Sequence, residues 1–168
     1  GGSHFQFQPV LWPKLIADWQ LSSSEVEYIN RQQGKCCTSC GANLRSIALA
    51  TSLCNYFSEW TQRSGQMPGP QSLLKDWVNS PALQTLALLE VNEAGTLSAC
   101  LSQLPGRHFG SYPALDMCKL ALPDACVDVV VHSDTLEHIQ YPVLALEECQ
   151  RILKPGGVLC MTVPIVVG

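Results

Sequence analysis

The sequence predicts an α/β fold, a mostly parallel sheet with flanking helices, preceded by an α-helical N-terminal extension. Three observations lead there. Val127–Val131 and Val158–Val163 are short apolar runs, and an amphipathic stretch and a Lys154-Pro-Gly-Gly157 turn separate them. Short β-branched runs bounded by turn signals fit strands buried on both faces. A helical pattern between two such strands fits a right-handed βαβ unit. The third observation is another apolar run, Leu86–Val91, followed by a helical pattern.

The elements follow in chain order. Gly1-Gly2-Ser3-His4 reads as an expression-tag remnant and is set aside. Residues 5–20 hold Phe5, Phe7, Leu11, Trp12, Leu15, Ile16 and Trp19 with little regular period, an arm that packs apolar side chains. A serine among Ser22–Ser24 caps a helix through Gln33. Glu25 and Glu27 lie in its first turn, where the dipole favours them, and Gly34 ends it. Lys35-Cys-Cys-Thr-Ser-Cys-Gly-Ala-Asn43 is a cysteine-bearing turn. Leu44, Ile47, Ala48, Leu53 and Tyr56 recur near a 3.6-residue period, predicting a helix from Leu44 to Arg63. Gln66-Met-Pro-Gly-Pro70 is a breaker-rich linker.

A short helix is expected over 72–78 and a turn at Pro81. The first sheet strand is expected at Leu86–Val91, then a helix from Gly95 to Leu104, then short strands at His108–Tyr112 and Ala114–Met117. The expected boundary lies near residue 82. Residues 5–82 form the helical extension, and residues 83–168 the sheet domain. The chain stops soon after the Val158–Val163 run, so the domain is read as shortened, minimal, or covering its edge strand in a homodimer.

Composition narrows the function classes. The chain has 168 residues, 46% of them hydrophobic and 14% charged, with net charge −4 and no basic block. Phosphate backbones need clustered Lys and Arg, so a nucleic-acid partner is not expected. No uninterrupted apolar run reaches the roughly 18–20 residues of a membrane span, and no membrane partner is expected. The nine cysteines fall mostly within apolar patterns, as at Cys54, Cys100, Cys126, Cys149 and Cys160. Reduced thiols fit this better than disulfides, which points to the cytoplasm.

Asp128-Val-Val-Val, Leu136-Glu-His138 and Arg151-Ile-Leu-Lys-Pro-Gly-Gly157, with Leu120-Ala-Leu-Pro-Asp124 before them, resemble the Rossmann-like class I S-adenosylmethionine-dependent methyltransferases. They are similar to the fourth strand, following helix and fifth strand of the type 11 members. The resemblance covers about the last half of the chain. It implies a shortened methyltransferase fold, S-adenosylmethionine as cofactor, and methyl transfer to an unidentified small-molecule acceptor.

It also implies site residues. Glu90 matches the acidic residue at the end of the first strand. Asn92, Ala94 and Thr96 stand where the family places glycines, with Gly95 between them. Asp116 matches an acid that accepts from the adenine amino group, with Met117 covering the ring. A solvated loop acid is the alternative reading of Asp116. His132 and Ser133 follow the fourth strand, at the tip the family sets against the cofactor's methionine part. Candidate cofactor contacts are thus Glu90, Asn92, Gly95, Asp116, Met117, His132 and Ser133. No catalytic residue is assigned. His132 and His138 are candidate bases, because imidazole titrates near neutral pH, and structural roles in the following turn are the alternative. The altered glycine turn keeps open a second function, a non-catalytic methyltransferase-like binding or assembly module.

Cys37 and Cys40 have the spacing of half a zinc knuckle. A tetrahedral zinc site needs a second such pair, and the sequence contains none. No metal is expected: the reading taken is a metal-free turn or a relic of a metal site, and zinc on Cys37 and Cys40 is the competing reading.

Overall fold

The computed structural model describes residues 4–65 and 73–163. The expected tag remnant (apart from His4) and the 66–70 linker lie outside the described residues. The chain divides into two compact units, residues 1–48 and 49–168. This division does not coincide with the boundary expected near residue 82. The physical reason is that Leu53, Phe57, Trp77 and Val78, read as parts of the extension, are buried in one cluster with sheet residues Leu88, Val129 and Val131.

In the first unit, β1 (Phe5–Phe7) pairs antiparallel with β2 (Lys35–Cys37), Phe5 opposite Cys37. Between them run α1 (Pro13–Asp18) and α2 (Ser23–Gln33). Ser22 caps α2 through a reciprocal box: its hydroxyl accepts from Glu25 N, and the Glu25 carboxylate accepts from Ser22 N at 2.7 Å. The buried Asn30 side chain accepts from the backbone N–H of Val10 and Leu11, which fastens the arm to α2. Gly34 is required by a close approach, because a Cβ there would meet the backbone carbonyls of Gln8 and Asn30. The helix α3 (Leu44–Arg63) has the expected bounds, and its residues from Leu49 on belong to the second unit.

In the second unit, α4 (Leu74–Val78) leads to four parallel strands: β3 (Leu88–Val91), β4 (Arg107–Gly110), β5 (Val127–Ser133) and β6 (Leu153–Thr162). Their spatial order is β4-β3-β5-β6. The β5 run is buried on both faces, as its unbroken valines predict. Val129 and Val131 pack with Leu53, Phe57 and Leu101 on one side. Val130 packs with Leu89, Ala145, Cys149 and Ile152 on the other. The last three belong to α6 (Pro142–Ile152). Asp128 bridges neighbouring elements rather than facing a site: its carboxylate accepts from Ala87 N and from Lys154 Nζ, each at 2.9 Å.

Three local expectations change. The helix expected from Gly95 to Leu104 is a 3₁₀ turn, Gly95–Leu97, followed by the short α5 (Ser98–Leu101). The strand expected at Ala114–Met117 is a turn, because Asp116 Oδ1 accepts from Cys118 N and Asp116 O from Lys119 N, which folds the chain back. Residues 154–157, expected as a turn ahead of the last strand, lie within β6. Its register with β5 shifts between Val127 and Val129, and Gly156 takes φ +77°.

Candidate functional site

Within the sheet, chain order runs from β3 outward to β4 and then across to β5 on the other side of β3. The crevice between the loops after β3 and β5 is thus a topological switch point, where open α/β sheets bind ligands. A cavity of about 470 Å³ lies there. Its walls come from the ends of three strands and the loops beyond them: Val91 and Asn92 at the end of β3, Tyr112 and the Leu115–Cys118 stretch after β4, and Thr135 with the His138–Tyr141 stretch after β5. The volume falls within the roughly 300–1,000 Å³ of small-molecule sites.

Four candidates meet in this lining: Asn92, Asp116, Met117 and His138. Asn92 takes φ +53°, a left-handed conformation that Asn tolerates. Its side chain joins two walls, accepting from Tyr112 N at 3.3 Å and donating to Thr135 Oγ1 at 3.4 Å. Asp116 is exposed, and its Oδ1 accepts from Cys118 N at 2.9 Å. Met117 is buried beneath it. The His138 ring is largely exposed, 4.0 Å from the Glu137 carboxylate.

Glu90, Gly95, His132 and Ser133 are not part of the lining. Glu90 is wholly buried. One oxygen accepts from Ala94 N at 2.9 Å and the other from Arg107 Nε at 2.7 Å. It ties the turn after β3 to β4, and its acceptor capacity is directed inward. Gly95, at φ +56°, opens the 3₁₀ turn behind that carboxylate. The Ser133 hydroxyl shares a 2.7 Å hydrogen bond with Thr162 Oγ1, which closes the end of the β5–β6 ladder. His132 lies fully buried in β5 with both ring nitrogens lacking a hydrogen-bond partner among the described residues. Burial pushes its pKa below the ordinary imidazole value, against a smaller opposing effect of Glu137. The ring is therefore neutral near pH 7.

Cys118, Gln140 and Tyr141 line the cavity without having been singled out in the sequence. Tyr141 immediately precedes α6, and Cys118 donates to its carbonyl at 3.6 Å. A tyrosine before a helix-starting proline carries no ligand signal of its own. In the first unit, Cys37 ends β2 and Cys40 stands in the turn after it. Among the described residues no group of three or more His, Cys, Asp and Glu is disposed to hold a metal ion. No helix among the described residues is long and apolar enough to cross a membrane.

Residues 86–161 match the methyltransferase domain family. A probable S-adenosylmethionine-dependent methyltransferase of Mycolicibacterium smegmatis is 41% identical over 58 residues, covering 32% of this chain and 23% of the relative. An uncharacterized methyltransferase of Schizosaccharomyces pombe is 48% identical over 42 residues, covering 25% of this chain and 15% of the relative. The chain thus matches less than a quarter of the length of these relatives. The crystal structure of the [4+2]-cyclase SpnF aligns with 65% of this chain and 57% of its own at 18% identity, with a TM-score of 0.36, too loose a superposition to carry an argument. Residues 86–161 are thus similar to a methyltransferase domain, and a relative matched over part of the chain is named a probable S-adenosylmethionine-dependent methyltransferase.

Proposed function

We propose that the cavity beyond β3, β4 and β5 binds S-adenosylmethionine and that the protein transfers its methyl group to a small-molecule acceptor. The observation that carries this reading is the meeting of Asn92, Asp116, Met117 and His138 around one cavity at the switch point. The chemistry of the lining fits the cofactor. Asp116 Oδ2 makes no hydrogen bond among the described residues, so it can accept from an exocyclic amino group. Met117 and Ile139 offer an apolar floor for a ring. The left-handed turn at Asn92 brings backbone close to the cavity without the glycine usual there.

The bound cofactor would supply an activated methyl on a sulfonium. The protein's part is then to hold acceptor and methyl in line and to exclude water. Where the acceptor carries a proton, His138 is the base within the lining, and it can pass that proton to solvent from its exposed ring. His132, neutral and walled off, takes no proton in this scheme. A cytoplasmic setting belongs to the same reading, supported by nine free thiols. So does a homodimer that covers the edge strand β6. Light scattering tests the latter.

Calorimetry with S-adenosylmethionine and S-adenosylhomocysteine is the first test. Losing a hydrogen bond to a charged acceptor costs about 1.5–3 kcal/mol, so Asp116→Ala should weaken binding roughly 10- to 100-fold. Equal affinity in wild type and variant refutes the assigned orientation. The second reading, a binding or assembly module without catalysis, is favoured by the inward commitment of Glu90 and by Asn92, Ala94 and Thr96 in place of glycines. Absence of cofactor binding by folded protein decides for it.

A further inference from the structure

β2 and the turn after it carry three cysteines, Cys36, Cys37 and Cys40, that the methyl-transfer reading leaves without a role. The backbone of the turn is closed tightly. Cys37 N donates to Ala42 O at 2.9 Å, and Gly41 N donates back to Cys37 O at 2.8 Å. Cys36 pairs with Asn43 across the mouth of the loop. Gly41 takes φ +72°, which a side chain would resist, although nothing lies within 4 Å of where its Cβ would stand. The glycine therefore serves the path of the loop rather than a packing contact.

A reverse turn brings residues three apart to Cα separations under about 7 Å. A disulfide spans about 4.4–6.8 Å. Cys37 and Cys40 stand three residues apart in the loop that the Gly41 N to Cys37 O hydrogen bond closes, and Cys40 is exposed while Cys37 is half-buried. The N–H groups of Ser39 and Cys40, followed by the Cys40 thiol, are directed at the Cys37 sulfur and hold its pKa below the ordinary thiol value. Cys36 differs from both. Strand alternation turns it to the other face, where its thiol lies 3.9 Å from Gln6 O.

We infer that Cys37 and Cys40 form a reversible dithiol–disulfide couple that exchanges with low-molecular-weight disulfides. The Cys37 thiolate attacks one sulfur of the small disulfide. The S–S electron pair leaves with the other sulfur, which takes a proton and departs as a thiol. Cys40 gives its proton to solvent and attacks the Cys37 sulfur of the mixed disulfide, expelling the second thiol. Two protein thiols are oxidised to one disulfide, and one small disulfide is reduced to two thiols. The inference does not depend on the methyl-transfer reading.

The test equilibrates the full chain with reduced and oxidised glutathione at graded ratios, quenches by alkylation and maps the peptides. An intrachain Cys37–Cys40 link is expected in wild type and in Cys36→Ser. It should be lost in Cys37→Ser and in Cys40→Ser. Cys40→Ser should instead accumulate glutathione on Cys37, ahead of Cys36 and Cys118. Circular dichroism verifies that each variant is folded. Three results overturn the inference: no intrachain link at any ratio, glutathione spread evenly over Cys36, Cys37 and Cys118 in Cys40→Ser, or a purified chain carrying tightly held zinc that protects both thiols.

Discussion

Replacing Arg107 with alanine tests whether the turn under the candidate site is held by a buried charge pair. Glu90 has no exposed side-chain surface, and Arg107 retains 17%. Their 2.7 Å contact is supplemented by Arg107 Nη2 donating to Ser98 Oγ at 3.1 Å and by the guanidinium lying 4.8 Å from the Phe109 ring centroid. Breaking a buried pair by removing one partner costs about 3–5 kcal/mol, because the other charge is left uncompensated. The residual exposure of Arg107 lets water reach the vacated space, which puts the expectation near the lower bound, about 3 kcal/mol. For a chain of this length that corresponds to a fall in Tm of roughly 6–12 °C. Urea unfolding followed by far-UV circular dichroism measures it. Glu90→Gln serves as the control, since its amide oxygen can still accept from Ala94 N while the charge is gone. Glu90→Gln combined with Arg107→Met should cost less than Arg107→Ala alone, because no lone charge remains buried. A loss below about 1 kcal/mol for Arg107→Ala, the range of an exposed ion pair, would refute the claim that this pair is shielded from water.

Two further expectations concern the site wall and the acid side of the stability curve. Asn92→Ala should destabilise by about 1–2 kcal/mol, through strain at a left-handed φ and loss of the contacts to Tyr112 and Thr135. Asn92→Gly should cost less, because the strain is removed, and equal losses in urea titrations would argue against strain at this position. The Glu148 carboxyl is pulled down to about 2, first by its hydrogen bonds from Arg151 and also by Leu120 N. A depressed carboxyl contributes stability above its unfolded value, about 4.3, and that contribution fades as pH falls toward 2. The Tm gap between wild type and Glu148→Gln should therefore be full at pH 6 and closed near pH 2. A gap unchanged across that range would contradict the role given to Arg151.

Local chemistry made several elements legible in the sequence. The run of serines and the glutamates just after it marked the start of α2, and the glycine its end. The 3.6-residue period of α3 and the valine run of β5 were equally plain, because one face or two faces of burial write themselves into the residue pattern. The turn at Asp116 was not legible. A short run with Leu115 and Met117 reads as strand until the Asp116 side chain is seen folding the chain back onto Cys118. The division after Ala48 was hidden for a similar reason: an amphipathic helix announces that it has a buried face but not which core receives it.

The same distinction governs the candidate site. The sequence by itself determined the α/β class and the segment, from Asn92 to His138, in which a ligand-binding tip would fall, because strand runs and the turns after them are local signals. It also singled out Asp116 and Met117 through their resemblance to a family. Only the tertiary structure decided which of the tip residues face a common cavity. Glu90 and Ser133 proved to be committed to Arg107 and Thr162, partners distant in sequence. Tyr141 entered the wall through the placement of α6 against the sheet. A side chain's role depends on what packs against it from elsewhere in the chain, and no spacing within one strand or turn encodes that.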